Sequence, residues 1–409
     1  MRFLFFIIST SIFGIIYFYI GYRLIKPSPL QKWQKRLLWI GLLILPLFLP
    51  LSFFLRFLVN NSILTDLIAW IAYISMGFFS LLLVFIFSKD IYIIFFSLIR
   101  KIKYKKNSAD KKTIAYDPER RKFLMNAANL TALGASALLT GYGIYEARRL
   151  AHLEEITIPI NKLPAEFEGF RIVQFTDVHI GPTIKRKFVE SVVEQVNDLK
   201  PHLIACTGDM VDGSVTDLKD DVAPLRDLHA PFGKFFVTGN HEYYVNALPW
   251  IEELDKLGLT ILLNDNSLVK KGSSEILIAG VTDFTSDRFV EDHKSDPINA
   301  INGTRDNLTK ILLAHQPKSI FAAAQACYDL QISGHTHGGQ YIPWAYLVTI
   351  AQPYIAGLHK HENMWIYVNR GTGYWGPPMR IGIPSEVTLF TLTRQQNEEN
   401  PKKSHQILS

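Results

Sequence analysis

Five short motifs between residues 177 and 337 carry the oxygen and imidazole groups that a divalent-metal hydrolytic site requires. They are Asp177-Val178-His179, Gly208-Asp209, Gly239-Asn240-His241-Glu242, Ala314-His315 and Gly334-His335-Thr336-His337. Two divalent ions roughly 3.5–4 Å apart need hard carboxylate and amide oxygens, borderline imidazoles and one anion that can span both. Asp209 is the natural bridge. A lone Asp-x-His or Gly-Asp marks little more than a turn after a strand, and a single histidine at a strand end is more often structural than ligating. Gly-Asn-His-Glu and Gly-His-Thr-His are rarer, and the five in one chain point to a two-metal site.

Four of the five motifs closely follow an apolar run suited to a buried strand, at residues 170–175, 203–206, 235–237 and 311–313. Their chemistry is thus delivered to one sheet edge, at the carboxyl ends of the strands. Residues 188–199 repeat Val189, Val192, Val193, Val196 and Leu199 at helical spacing and stop at Pro201; 248–257 and 319–326 read similarly. Further strands are expected at 261–263, 275–279, 330–332, 365–368 and 386–392. The expected fold class is α/β, a layered β-sandwich flanked by helices and preceded by an α-helical transmembrane region.

In motif order and spacing the chain resembles the calcineurin-like metallophosphoesterase family. The resemblance implies that Asp177, His179 and His337 hold one metal, that Asn240, His315 and His335 hold the second, and that Asp209 spans both. It also implies that His241 is the catalytic histidine over the leaving-group oxygen. The cofactors implied are two divalent ions, with Mn, Fe and Zn all suited to mixed nitrogen and oxygen ligands. The reaction implied is in-line attack on phosphorus by a metal-activated water. Gly338-Gly339-Gln340, the stretch from Tyr367 through Asn369 and Arg370 to Gly373, and Pro384-Ser385-Glu386-Val387-Thr388-Leu389 look like a membrane-associated bacterial branch. That branch includes twin-arginine-exported phosphoesterases and UDP-2,3-diacylglucosamine hydrolases. Arg370 could bind a phosphate oxygen bidentately, or simply pair with an acid at the surface.

The amino-terminal third belongs to another physical class. Residues 3–20, 37–55 and 63–87 are apolar runs near the ~20 residues that cross a bilayer. Arg23, Lys26, Lys32, Lys35 and Arg36 lie between the first two, whereas the link at 59–62 has no charge; a dense basic stretch with Lys111, Lys112, Arg120, Arg121 and Lys122 follows the third. Because Lys and Arg stay on the cytoplasmic side, the amino terminus is expected outside. The net charge of +6 is largely this loop, and with no groove-reading module beside it nucleic acid is not an expected partner. Residues 123–145 are uncharged but punctuated by Asn126, Asn129, Gly134, Gly141 and Gly143. They form either a fourth span or, after Arg120-Arg121, a twin-arginine-type signal anchor engaging the twin-arginine translocase during export. Arg148-Arg149 oppose export and keep open a peripheral helix with a cytoplasmic enzyme.

The expected organisation is therefore three transmembrane helices at 1–99, a basic cytoplasmic loop at 100–122, a fourth span or anchor at 123–147, a catalytic domain at 155–395 and a polar tail at 396–409. The expected location is a bacterial membrane, multi-pass, with the catalytic domain outside the cytoplasm. Cys206 and Cys327 read as buried small hydrophobes with no disulfide framework. Asp283 reads as a residue supporting the ligands or as a cap, and His359, His361 and Glu362 as loop residues facing solvent or substrate. Tyr374, Trp375 and Met379 are placed on a loop at headgroup level. The leading function is hydrolysis of a lipid- or envelope-linked phosphomonoester or phosphodiester. UDP-2,3-diacylglucosamine pyrophosphate hydrolysis in lipid metabolism is one alternative, and a membrane sensor that only binds a phosphorylated ligand is another.

Overall fold

The structure, a computed structural model, describes residues 2–58, 62–106 and 117–395. The uncharged link at 59–61, much of the basic stretch (107–116, with Lys111 and Lys112) and the tail 396–409 lie outside the described residues. Two units are distinguished: one comprises Met1–Arg149 with Gly181–Thr183 and Tyr374–Gly382, and the other comprises the rest.

The first unit is built on four helices, α1 (Arg2–Leu24), α2 (Lys32–Leu58), α3 (Ile63–Lys106) and α4 (Pro118–Arg148). Among the described residues α2, α3 and α4 are long and apolar enough to cross a membrane. The 44 residues of α3 extend well past the apolar run that ends at 87, and at 1.5 Å per residue reach about 66 Å, roughly twice a bilayer's hydrocarbon thickness. Helix α4 starts on Asp117, whose side chain accepts the Arg120 N–H, with Pro118 in the first turn. Its weak hydropathy has a structural reason. The buried positions Asn129, Ala132, Ser136, Thr140, Gly143 and Ala147 recur every three or four residues and are small or polar, while Leu124, Leu130, Leu138 and Tyr145 are exposed. Small residues let helices approach closely, and polar ones bond across. Asn129 donates to the Arg23 carbonyl at 3.1 Å and accepts from Lys89 Nζ at 2.5 Å. The segment Tyr374–Gly382 is packed rather than free: a Cβ at Gly77 or Gly143 would meet Met379, and the Arg380 N–H donates to the Gly143 carbonyl at 3.0 Å.

The second unit holds two six-stranded mixed sheets. The first contains β1 (His152–Ile160), β2 (Phe170–Phe175), β3 (Leu203–Cys206), β4 (Lys234–Phe236) and β5 (Thr260–Ile261), with β12 (Glu386–Arg394) inserted parallel to β1 and antiparallel to β2. The second contains β6 (Asp265–Lys271), β7 (Ser274–Gly280), β8 (Thr309–Leu313), β9 (Leu330–Ser333), β10 (Gly357–His361) and β11 (Met364–Val368), in the order β10-β11-β9-β8-β7-β6. Side chains alternate across each strand, so both faces of the second sheet are covered. Ile311 and Leu313 pack with Ile172, Leu203, Phe235 and Phe390 between the sheets, while Leu312 and Ala314 pack with Ile320 and Ala323 on the other side. The helices of this unit are α5 (Arg186–Asp198), α6 (Val215–Val222), α7 (Asn240–Tyr244), α8 (Ala247–Lys256), α9 (Ile320–Gln325) and α10 (Ala345–Ala351). The expected valine stripe of α5 is buried, which together with the two sheets bears out the α/β class.

Three expectations are corrected. Cys327 is exposed at a positive φ beyond α9; Cys206 is buried as expected, and its thiol is pushed up by burial. His359 and His361 lie on β10, a strand paired with β11, and bond to the Ala356 carbonyl and the Tyr354 hydroxyl. The expected strand at 261–263 is only the two residues of β5.

Candidate metal centre

Strands β2, β3, β4, β8 and β9 end at Phe175, Cys206, Phe236, Leu313 and Ser333, and each expected motif begins within a few residues of those ends. Because β2, β3 and β4 run parallel, as do β8 and β9, their carboxyl ends share an edge. The chain must there turn sharply and still aim its side chains back. Asp177, His179, Asp209, His335 and His337 all have φ between 51° and 74°, a left-handed conformation that side chains seldom adopt. Such strain persists only where the surroundings over-determine it, and it gathers at functional sites. Glycines make the room: a Cβ at Gly239 would collide with Asp209 Oδ1, and one at Gly334 with Asp177 Oδ2.

The side chains fall into three groups, within each of which the ligating atoms lie within 4.8 Å of one another: Asp177, His179 and His337; Asp209, His315 and His335; and His179, Asp212 and His241, the first and last sharing His179. His179 Nε2 faces His337 Nε2 at 3.0 Å, and His335 Nδ1 faces His315 Nε2 at 3.2 Å. Imidazole nitrogens brought this close to one another suit a shared cation. His315 Nδ1 is 2.7 Å from the Thr207 carbonyl, so this nitrogen carries a proton and Nε2 is the atom turned towards the site. Asp209 Oδ2 lies centrally, 3.1 Å from His315 Nε2, 3.9 Å from His179 Nε2 and 4.0 Å from His241 Nε2. Asn240 Oδ1 is buried and has no hydrogen-bond partner among the described residues. A buried amide oxygen left without a donor is what a hard cation would satisfy. The donor set therefore fits divalent metal.

Electrostatics follow from burial. Burial disfavours the Asp209 carboxylate, but His315 and His241 outweigh it and hold the group well below the usual range. Burial and the neighbouring His315 push His335 down to about 3, keeping it a neutral ligand. Burial opposes the charged form of His241, yet the Asp212 and Asp209 carboxylates raise it to about 9.

Two residues that the motif reading left without a role complete the site. Asp212 Oδ1 is 2.5 Å from His241 Nδ1 and 3.2 Å from His179 Nδ1. Its signal was the spacing of three from Asp209. Glu242 accepts the N–H groups of Asp209 at 3.0 Å, Met210 at 2.7 Å and Gly239 at 2.7 Å, tying the second motif to the third. Asp283 is fully buried and accepts from Thr285 N, Thr285 Oγ1 and Gln316 Nε2, so it both caps a turn and steadies the residue after His315. Arg370 is paired with Glu386 at 2.6 Å and Glu154 at 3.5 Å, and its stem lies near Gly338.

A family model described as calcineurin-like phosphoesterase matches residues 170–339. The chain is 38% identical over 278 residues to a metallophosphoesterase of Helicobacter pylori, covering 67% of this chain and 72% of that protein. It is 32% identical over 290 residues to one of Bacillus subtilis, covering 67% of this chain and 97% of that protein. A transmembrane protein with metallophosphoesterase domain from Danio rerio is 35% identical over 269 residues, which span 64% of this chain but only 62% of the fish protein. The chain belongs to the calcineurin-like metallophosphoesterase family and is a phosphoester hydrolase of a metal-dependent class.

Proposed function

We propose that this chain is a membrane-anchored phosphoesterase with a two-ion site. Asp177, His179 and His337 would hold one ion, Asn240, His315 and His335 the other, and Asp209 would be shared. The observation that carries this reading is the position of Asp209 Oδ2, within 4.0 Å of imidazole nitrogens from both sides of the site. Divalent ions bound there, with Mn, Fe and Zn all suited, would polarise the phosphoryl oxygens and acidify a water for in-line attack. His241, kept protonated through Nδ1 by Asp212, would donate from Nε2 to the departing oxygen. Asp212 would hold both His241 and His179 in their working tautomers.

Anchoring through α1 to α4 is supported by the length and apolarity of α2, α3 and α4. The basic residues after α1 and around the start of α4 support a catalytic unit outside the cytoplasm. A tethered enzyme meets phosphoesters at the membrane first, and a lipid- or envelope-linked phosphomonoester or phosphodiester is the substrate class proposed.

The test is hydrolysis of bis-p-nitrophenyl phosphate by the full chain after metal stripping and after adding back Mn²⁺, Fe²⁺ or Zn²⁺. Activity should return with metal, Mn²⁺ best. Equal turnover in excess chelator would overturn the reading.

A further inference from the structure

Immediately after the last site histidine the chain makes an excursion from Tyr341 to Ile355, fastened at both ends to the turn that carries His335 and His337. At its start, Gly339 has φ 84° and leaves no room for a Cβ against Ala345 at the head of α10. At its end, Thr336 Oγ1 donates to the Ile355 carbonyl at 2.5 Å. Between these points α10 reads Ala-Tyr-Leu-Val-Thr-Ile-Ala, and none of its residues is buried. Ile350 is 83% exposed, with Tyr346 and Leu347 exposed beside it. Isolated surface leucines mean little, but a contiguous apolar patch marks a contact surface.

This patch borders an open cavity of about 510 Å³ whose walls include Phe284, Phe321, Ile350, Pro353, Gln352 and Lys318. The size falls within the range of small-molecule sites. The lining of the cavity is tied to the metal centre by two hydrogen bonds. Gln352 Nε2 donates to Gln316 Oε1 at 3.3 Å, Gln316 follows His315 directly, and Gln316 Nε2 donates to Asp283, the neighbour of Phe284, at 2.9 Å. Gln316, buried beside His315, thus makes the cavity wall and the metal centre neighbours. Lys318 is the cation in the lining.

We infer that α10, Phe284 and Phe321 form the subsite for a hydrocarbon chain of the phosphoester substrate. This rests on the proposed hydrolase and assigns its substrate class as alkyl or acyl phosphoesters. The occupant is a lipid tail because the lining is mostly apolar, the patch adjoins the site, and the same chain carries helices long enough to span a bilayer, where such substrates reside.

The test uses methyl, butyl and octyl p-nitrophenyl phosphodiesters, which share a leaving group and differ only in the chain. The full-length Mn²⁺-loaded protein in detergent is compared with Leu347→Ser and Ile350→Ser variants, both altered at exposed positions. Partitioning of long chains into detergent is common to all three and cancels. For the native chain kcat/KM should rise with chain length, by up to about fourfold per methylene buried, and the rise should flatten in the variants while methyl-ester turnover stays level. Equal slopes in all three would overturn the subsite and leave the hydrolase reading intact. Photolabelling with a diazirine-tagged octylphosphonate decides the matter independently of turnover: adducts between residues 341 and 353 or at Phe321 support the subsite, and adducts elsewhere overturn it. Failure of the methyl ester to react under any metal would sink the hydrolase reading instead.

Discussion

Asp212 Oδ1 sits 2.5 Å from His241 Nδ1, fixing the imidazole so that its other nitrogen faces Asp209 Oδ2 at 4.0 Å. The same oxygen reaches His179 Nδ1, so one carboxylate steadies both the proposed acid and a proposed ligand. Asp212→Asn should lower kcat about 10–10²-fold, the usual effect of losing a group that orients a ligand. Steady-state kinetics with metal analysis check this, and unchanged kcat would remove Asp212 from the machinery.

Asp209→Asn should weaken both ions together, since an amide offers one good donor oxygen and no charge to offset two cations. His241→Ala should leave metal content nearly intact and reduce turnover, on the order of 10²–10⁴-fold for a full general-acid contribution. Its effect should be larger for alkyl than for aryl leaving groups, because alkoxides need the proton more. Elemental analysis with rates on both substrate types measures these outcomes; full activity of the His241 variant would mean the wrong residue has been assigned.

Glu242→Gln should destabilise the fold while replacing no proposed ligand side chain. Three backbone N–H groups converge on this buried carboxylate, and an amide turns one donor edge towards them. One unsatisfied buried group costs about 1–3 kcal/mol. Thermal melting of metal-free protein should show a fall of several degrees, and an unchanged midpoint would show that the three bonds are dispensable.

The proposed topology predicts that a reporter active only outside the cytoplasm works when fused beyond Gln395 and is silent when inserted at Asp110. The motivation is the basic clustering after α1 and before α4. The opposite pattern would place the catalytic unit in the cytoplasm and make a nucleotide-linked lipid the better substrate.

Much of this was legible in residue order because the information is local. Apolar runs ending in Asp, Asn or His marked the strand ends, and the ligating residue types are read directly from the chemistry of hard cations. The valine stripe of α5 and the basic flanks of the apolar helices were equally local signals.

Tertiary structure decided what depends on residues distant in the chain. Glu242 gained its role only when β3 and β4 were paired, bringing the amides of Asp209 and Met210 to it. Arg370 met Glu386 because β12 returns beside β2 and brings its first residue near the turn after β11. Cys327 ended outside because α9 stops at Gln325 and the chain turns away there through a positive φ at Cys327. The left-handed backbone at Asp177, His179, Asp209, His335 and His337 has no signature in residue type. It is imposed by sheet edges and glycine gaps, which exist only once the strands are aligned. The sequence by itself determined which groups were available for chemistry; the packing of two sheets determined which of them meet, because a few ångströms of convergence are set by contacts across more than a hundred residues of chain.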